Sequence, residues 1–207
     1  MPILKRPDMD LYYETHGEGV PLMMIAGLAS DSLSWMSVSG KLSQSLTLIL
    51  PDNRGVGRST QKDIEITVER MADDCIALAQ ASGFHKLNFL GHSMGGFVAL
   101  DIALRYPEYV DRLIIAGSSA SCYCGRNQML LEDWALMLEN QLPPEIWYRN
   151  LFYWIFTHRF FQNESMVSDA VRYSIQYPYP QATEAFRKQT EIIKNFNCKD
   201  RLRQIKA

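Results

Sequence analysis

Four cysteines in 207 residues, unevenly placed at Cys75, Cys122, Cys124 and Cys198, are too few for a disulfide framework, so reduced thiols are expected. In Cys122-Tyr123-Cys124 one residue separates the thiols, the wrong spacing for a zinc knuckle, and no histidine follows closely; no metal is expected. Neither sign of charge dominates. The 21 Lys and Arg face 23 Asp and Glu, a formal net charge of -2, and the basic residues form no stripe, which argues against a nucleic-acid partner. The apolar stretches fall far short of the roughly 20 residues a membrane span needs. Lys5 and Arg6 have no apolar segment behind them of the kind an export leader carries. The expectation is a soluble, cytoplasmic protein with no membrane contact. No internal repeat is visible.

With 47% apolar residues, the chain can bury a core as one domain or one domain with an insertion. Leu11 to Thr15 has strand-forming residues, and the continuous apolar run Val20 to Ala26 predicts a strand buried on both faces of a parallel sheet. Ser32 to Ser45 reads as a helix with Trp35, Val38 and Leu42 at helical spacing, followed by a strand over Thr47 to Leu50. Thr67 is a good N-cap for a helix whose apolar face is Val68, Met71, Ala72, Cys75, Ile76 and Ala79, ended by Gly83. Leu87 to Leu90 predicts a short buried strand, Ser93 to Tyr106 a helix stopped by Pro107, and Val110 to Ala116 a further strand. Strands separated by helices predict an α/β fold with a mostly parallel sheet over residues 1–120. From 121 to 197 the pattern is helical only and dense in aromatics, an inserted layer, and 198–207 reads as a return toward the sheet.

Ser93 lies in Gly91-His92-Ser93-Met94-Gly95, between a strand-like run and a helical one. That context suits a tight strand-to-helix turn that exposes a nucleophilic hydroxyl, with Gly91 and Gly95 removing side chains where the turn would collide with its neighbours. The bland alternative is a plain glycine-rich turn. Gly55-x-Gly57 lacks the third glycine of a dinucleotide fingerprint, and no cofactor is expected. Asp52 and Arg54 read as residues that tie down their own loop. Direct substrate contact is the other reading.

Three segments carry a resemblance to the α/β-hydrolases: Gly91 to Gly96, the loop Asp52 to Ser59, and Ile25-Ala26-Gly27-Leu28. They are similar to that family's nucleophile elbow, the loop after its fourth strand and its oxyanion turn, in the same order. The helical layer is similar to the cap of the small esterase, lactonase and carbon-carbon bond hydrolase branches. The resemblance implies an ester, lactone or related acyl hydrolase of small molecules. It implies Ser93 as nucleophile and the backbone N–H groups of Leu28 and Met94 as oxyanion donors. Asp would be expected at position 93 for epoxide opening or halide displacement, so those activities are disfavoured.

The family order of the triad is Ser, then Asp or Glu, then His. No such acid and histidine are found after Ser93. His16, His85 and His92 precede or adjoin the serine, with His92 expected to point away from it; His158 lies in the cap, and Asp133 and Asp169 read as solvated helix residues. The expectation is a shortened chain lacking on the order of 50 to 70 residues by ordinary element lengths. On that view the chain alone is inactive or weakly active, and its Val110 to Ala116 edge invites self-association or coverage by a rearranged C-terminal segment. A second reading is a non-catalytic module that binds a small ligand or partner in the cleft between sheet and cap. The aromatics between Asn150 and Phe161 would pack, line an acyl pocket, or dock on a membrane or partner helix.

Overall fold

A computed structural model describes residues 2–61, 65–122 and 124–207. Among these residues seven strands form one mixed sheet: β1 (Ile3–Lys5), β2 (Met9–His16), β3 (Val20–Ile25), β4 (Leu46–Pro51), β5 (Thr60–Gln61), β6 (Leu87–His92) and β7 (Val110–Ala116). The order is β1-β2-β4-β3-β6-β7, with β5 beside β2. Strands β4, β3, β6 and β7 run parallel, as the alternation with helices requires. The N-terminal β1 and β2 and the short β5 pair antiparallel.

The apolar run in β3 is explained by the pleat. Met23 and Ile25 enter the large core cluster on one face, while Leu22 and Met24 enter a smaller one on the other. In β4, Ile49 opposes Leu48 and Leu50 in the same way. Burial starts only partway along β3, since Val20 is exposed.

Helices α2 (Val68–Ala81) and α3 (Met94–Arg105) pack on each other over the large cluster. Thr67 caps α2 by accepting the Arg70 N–H at 3.1 Å, and all six expected apolar positions are buried. The other face is covered at Trp35 and Leu42, on either side of a break that the apolar spacing conceals. Instead of one helix over Ser32 to Ser45 there is a 3-10 turn, Ser32–Trp35, followed by α1 (Met36–Leu42). The cause is Asp31: its carboxylate accepts the Leu33 N–H at 3.0 Å, and its carbonyl takes both the Ser34 N–H and hydroxyl. These local bonds close a tighter turn than an α-helix. Val38 consequently faces solvent.

The helical layer comprises α4 (Gly125–Glu139), α5 (Pro144–Ile155), α6 (His158–Phe161), α7 (Glu164–Ile175) and α8 (Thr183–Asn195). Its two ends meet at a bridge between Ser121 and Asn197, reinforced by the Cys198 N–H donating to the Ala120 carbonyl at 2.8 Å. Phe97 of α3 stacks on Phe196 with centroids 4.4 Å apart, which anchors the layer to the core. Arg187 of α8 bonds Glu132 and Glu139 of α4.

The segment after α8 forms a 3-10 turn, Lys199–Gln204, packed against α3. It does not cover the sheet edge: among the described residues β7 has β6 as its one strand neighbour, and Ile114 stays exposed. No helix among the described residues is long and apolar enough to cross a membrane.

Candidate active site

Ser93 sits between the last residue of β6 and the first of α3, with φ 53° and ψ -121°. That left-handed backbone in a non-glycine residue is strained, and its surroundings hold it. The Ser93 N–H donates to the Ala116 carbonyl at 3.0 Å, and its carbonyl accepts the Gly96 N–H at 2.9 Å. The flanking glycines are sterically required. A β-carbon on Gly91 would lie 2.3 Å from the Gly95 carbonyl oxygen, and one on Gly95 would lie 2.1 Å from that of Ile25.

The turn after β3 comes up against this junction. Gly27 is so close that a β-carbon there would stand 3.0 Å from the Ser93 Cβ and 3.5 Å from its Oγ. Leu28 follows, and Ala29 adopts φ 55°. This second left-handed residue is held by the cap: its N–H donates to Gln189 Oε1 at 3.3 Å, while Gln189 Nε2 donates to the Arg54 carbonyl at 2.9 Å. Gln189 is fully buried. Nothing in the sequence of α8 marks it, because its partners lie 160 and 135 positions away.

Ser93, Gly27, Leu28 and Met94 line one cavity of about 940 Å³ between sheet and cap. Among the described residues neither the Leu28 nor the Met94 N–H is engaged in a hydrogen bond; Met94 opens α3, where amides have no intrahelical acceptor. The far wall is Leu130, Leu131, Trp134, Leu151, Trp154 and Ile155 of the cap. Ser118 and Ser121 also line it, each with a buried hydroxyl that has no partner among the described residues.

Cys122 and Cys124 border the same space, and all four cysteines are free. Backbone amides of Asn127 and Arg126 at the start of α4 hold the Cys124 thiol below its usual range, and burial pushes Cys122 up. Tyr123 lies outside the described residues. No cluster of His, Cys, Asp or Glu among the described residues could hold a metal ion.

His92 is among the residues that border the Ser93 cavity, and its ring lies edge-on to Trp35, which packs with Leu90 against the smaller core cluster. The other histidines lie elsewhere: His16 pairs with Glu14 on β2, and His85 and His158 are exposed. Among the described residues no carboxylate lines this cavity. Asp133 is exposed, and Asp169 pairs with Arg172.

Asp52 and Arg54 tie down their loop. Asp52 accepts the Ser32 and Arg58 N–H groups, each at 2.8 Å, and Gly57 at φ 60° makes room, since a β-carbon there would lie 2.3 Å from the Asp52 carboxylate. Asn53 Nδ2 reaches back to the Ala26 carbonyl at 3.0 Å. Arg54 is buried and bonds Asp74 at 2.6 and 3.0 Å and Asp8 at 2.8 Å. Burial works against its charge, but these carboxylates outweigh burial and raise its pKa further.

The aromatics of the cap divide by position. Phe152, Phe156 and Phe160 pack on one another, with Phe156 and Phe160 stacked at 4.1 Å. Trp134 and Trp154 face the Ser93 cavity, and Trp147 and Tyr148 face a second one.

Two relatives are named "Putative carbamate hydrolase RutD". That of Agrobacterium fabrum is 34% identical over 123 residues, 56% of this chain and 47% of its own length; that of Azorhizobium caulinodans is 26% identical over 214 residues, covering 100% of this chain and 77% of its own length. The chain thus spans about half the length of the first of these relatives. The enol-lactonase from Burkholderia xenovorans LB400 superposes with a TM-score of 0.84 at 20% identity, covering 100% of this chain and 78% of that one, a likeness of fold. The family described as alpha/beta hydrolase fold matches residues 20–179, and the chain belongs to it.

Proposed function

We propose that the chain carries the nucleophilic half of a hydrolase acting on ester, lactone or related acyl bonds of small molecules. Ser93 is the nucleophile, and the Leu28 and Met94 N–H groups are the donors for the tetrahedral oxyanion. The observation that carries this reading is the strained Ser93 junction, with Gly27 against its Oγ and a cavity of about 940 Å³ in front of it. Strain of this kind costs on the order of 1 to 3 kcal/mol and persists where the site needs it. Two fixed backbone donors would stabilise charge that develops only in the transition state; one such donor is worth about 100- to 1,000-fold in turnover. The names of the carbamate hydrolase and enol-lactonase relatives lie within the same class of acyl chemistry.

A hydroxyl needs a base within roughly 3.2 Å. Among the described residues the Ser93 cavity is bordered by His92 and by no carboxylate that could orient it. That observation favours, for these 207 residues by themselves, the second reading: a small-molecule binding module with weak activity or none.

A fluorophosphonate probe separates the readings. The hydrolase reading expects a covalent adduct on Ser93, located by peptide mass spectrometry and absent in Ser93→Ala. Failure of the native chain to react, with its fold intact by circular dichroism, leaves the binding-module reading.

A further inference from the structure

The turn after β3 is closed by the Ser30 N–H, which donates to the Gly27 carbonyl at 3.3 Å. Ala29, the third residue of this turn, has φ 55°. A turn of that form suits glycine; alanine there is strained, and rotating the Leu28–Ala29 peptide so that Ala29 takes a negative φ relieves the strain. The closing bond is common to both forms and selects neither.

Selection comes from the cap. Among the described residues the Ala29 N–H has Gln189 Oε1 as its one acceptor, at 3.3 Å. The rotated peptide turns the Leu28 carbonyl toward that oxygen and sets two acceptors face to face. Gln189 has no freedom to yield. It is fully buried, its Nε2 donates to the Arg54 carbonyl at 2.9 Å, and its Oε1 also accepts Gln181 Nε2 at 2.9 Å. One turn earlier on α8, Ala185 seats the helix on the loop after β4, where a β-carbon on Gly55 would stand 2.9 Å from the Ala185 Cβ. The cap grips the chain just beyond the turn as well, because the Tyr177 hydroxyl donates to the Asp31 carboxylate.

We propose that Gln189 is a positioning residue for the oxyanion turn: it fixes the strained orientation of the Leu28–Ala29 peptide, so that the cap, through α8, sets where the Leu28 N–H stands relative to Ser93. Gln189 does not border the Ser93 cavity and acts only through the turn. A cap that shifts off the loop after β4 releases Ala29, and the donor is then out of place. The inference rests on the reading of Leu28 as an oxyanion donor, while the conformation of the turn is measurable without any chemistry at Ser93.

The test combines NMR of the isotope-labelled 207-residue protein with fluorophosphonate labelling of Ser93. The native chain is expected to show the strong contact between the Ala29 amide and α-protons that marks a positive φ. Gln189→Met fills a similar volume without an amide oxygen and is expected to weaken that signal, shift the Leu28 amide resonance and slow labelling by about tenfold. Adding Ala29→Gly, which accepts a positive φ without support, is expected to return the Leu28 resonance and the labelling rate toward native values, a rescue that a purely structural role for Gln189 does not predict. Gln189→Asn, shorter by one methylene and so withdrawn from Ala29, supplies the same comparison if the methionine variant does not fold. A positive-φ signal that persists without the Gln189 oxygen, unchanged labelling in Gln189→Met, or a Leu28 resonance that Ala29→Gly fails to restore overturns the proposal. A native Ser93 that takes no label counts against the hydrolase reading instead, and the NMR comparison still decides this one.

Discussion

Gly27 and Ser93 are in contact across the sheet's carboxyl end, at a separation that leaves 3.0 Å between the Ser93 Cβ and any β-carbon added to Gly27. The contact brings the turn after β3 to the junction after β6 and makes both parts of one site. Gly27→Ala is therefore expected to fold, since the serine can give by a few tenths of an ångström. The shift moves Oγ relative to Leu28 and Met94. A misplacement of 1 Å can cost about 100-fold in a positioned reaction, so labelling of Ser93 by a fluorophosphonate should slow by at least roughly tenfold. Unchanged labelling kinetics would show that the glycine serves packing alone.

Strain at Ser93 makes a stability prediction in the opposite direction. The φ of 53° is disfavoured for any residue with a β-carbon. Ser93→Ala retains that atom and should leave stability nearly unchanged. Ser93→Gly removes it, relieving on the order of 1 to 3 kcal/mol against an unfolded-state cost of about 0.4 to 1 kcal/mol. The glycine variant should be the more stable of the two by about 1 kcal/mol, near 2 to 4 °C in Tm. Calorimetry that ranks alanine above glycine would refute the strain assignment.

Edge strand β7 supports a third prediction. Its outer backbone groups face no strand among the described residues, Ile114 is 46% exposed, and the 3-10 turn at Lys199–Gln204 packs on α3 instead. An edge of seven residues with an apolar side chain invites pairing with a second copy. Light scattering of the 207-residue chain should show mass rising with concentration, and Ile114→Lys should suppress the rise. A constant monomer mass up to millimolar concentration would contradict this.

What could be read from the sequence follows the range of the forces involved. Strand β3 announces itself because a run of apolar residues has one economical home, between two covered faces. The serine turn is legible because glycines on both sides remove local collisions within a few residues. The break before α1 is not legible: Trp35, Val38 and Leu42 keep helical spacing, and one carboxylate at Asp31 overrides it. Gln189 is harder still. A glutamine in or near a helix reads as a solvated residue, and only the folded chain brings Gln189 to Ala29.

Asp31 supplies a prediction in pH. Burial raises its pKa and outweighs the Tyr177 hydroxyl that favours the anion; Asp52 nearby raises it further, while the Leu33 N–H and Arg58 oppose. The folded protein thus holds this proton more tightly than the unfolded chain, whose value is about 3.9. For an acid shifted upward, stability is greatest below the unfolded value and falls as pH rises through the folded one, and the loss persists at neutrality. Asp31→Asn has no charge to bury. Its melting temperature relative to the native protein should therefore improve between pH 4 and pH 7, whatever the fixed cost of replacing an acceptor by an amide. A difference that stays flat over that interval would mean that the ionised carboxylate is as well accommodated as in water, and that its contacts with Tyr177 and Leu33 fully offset its burial.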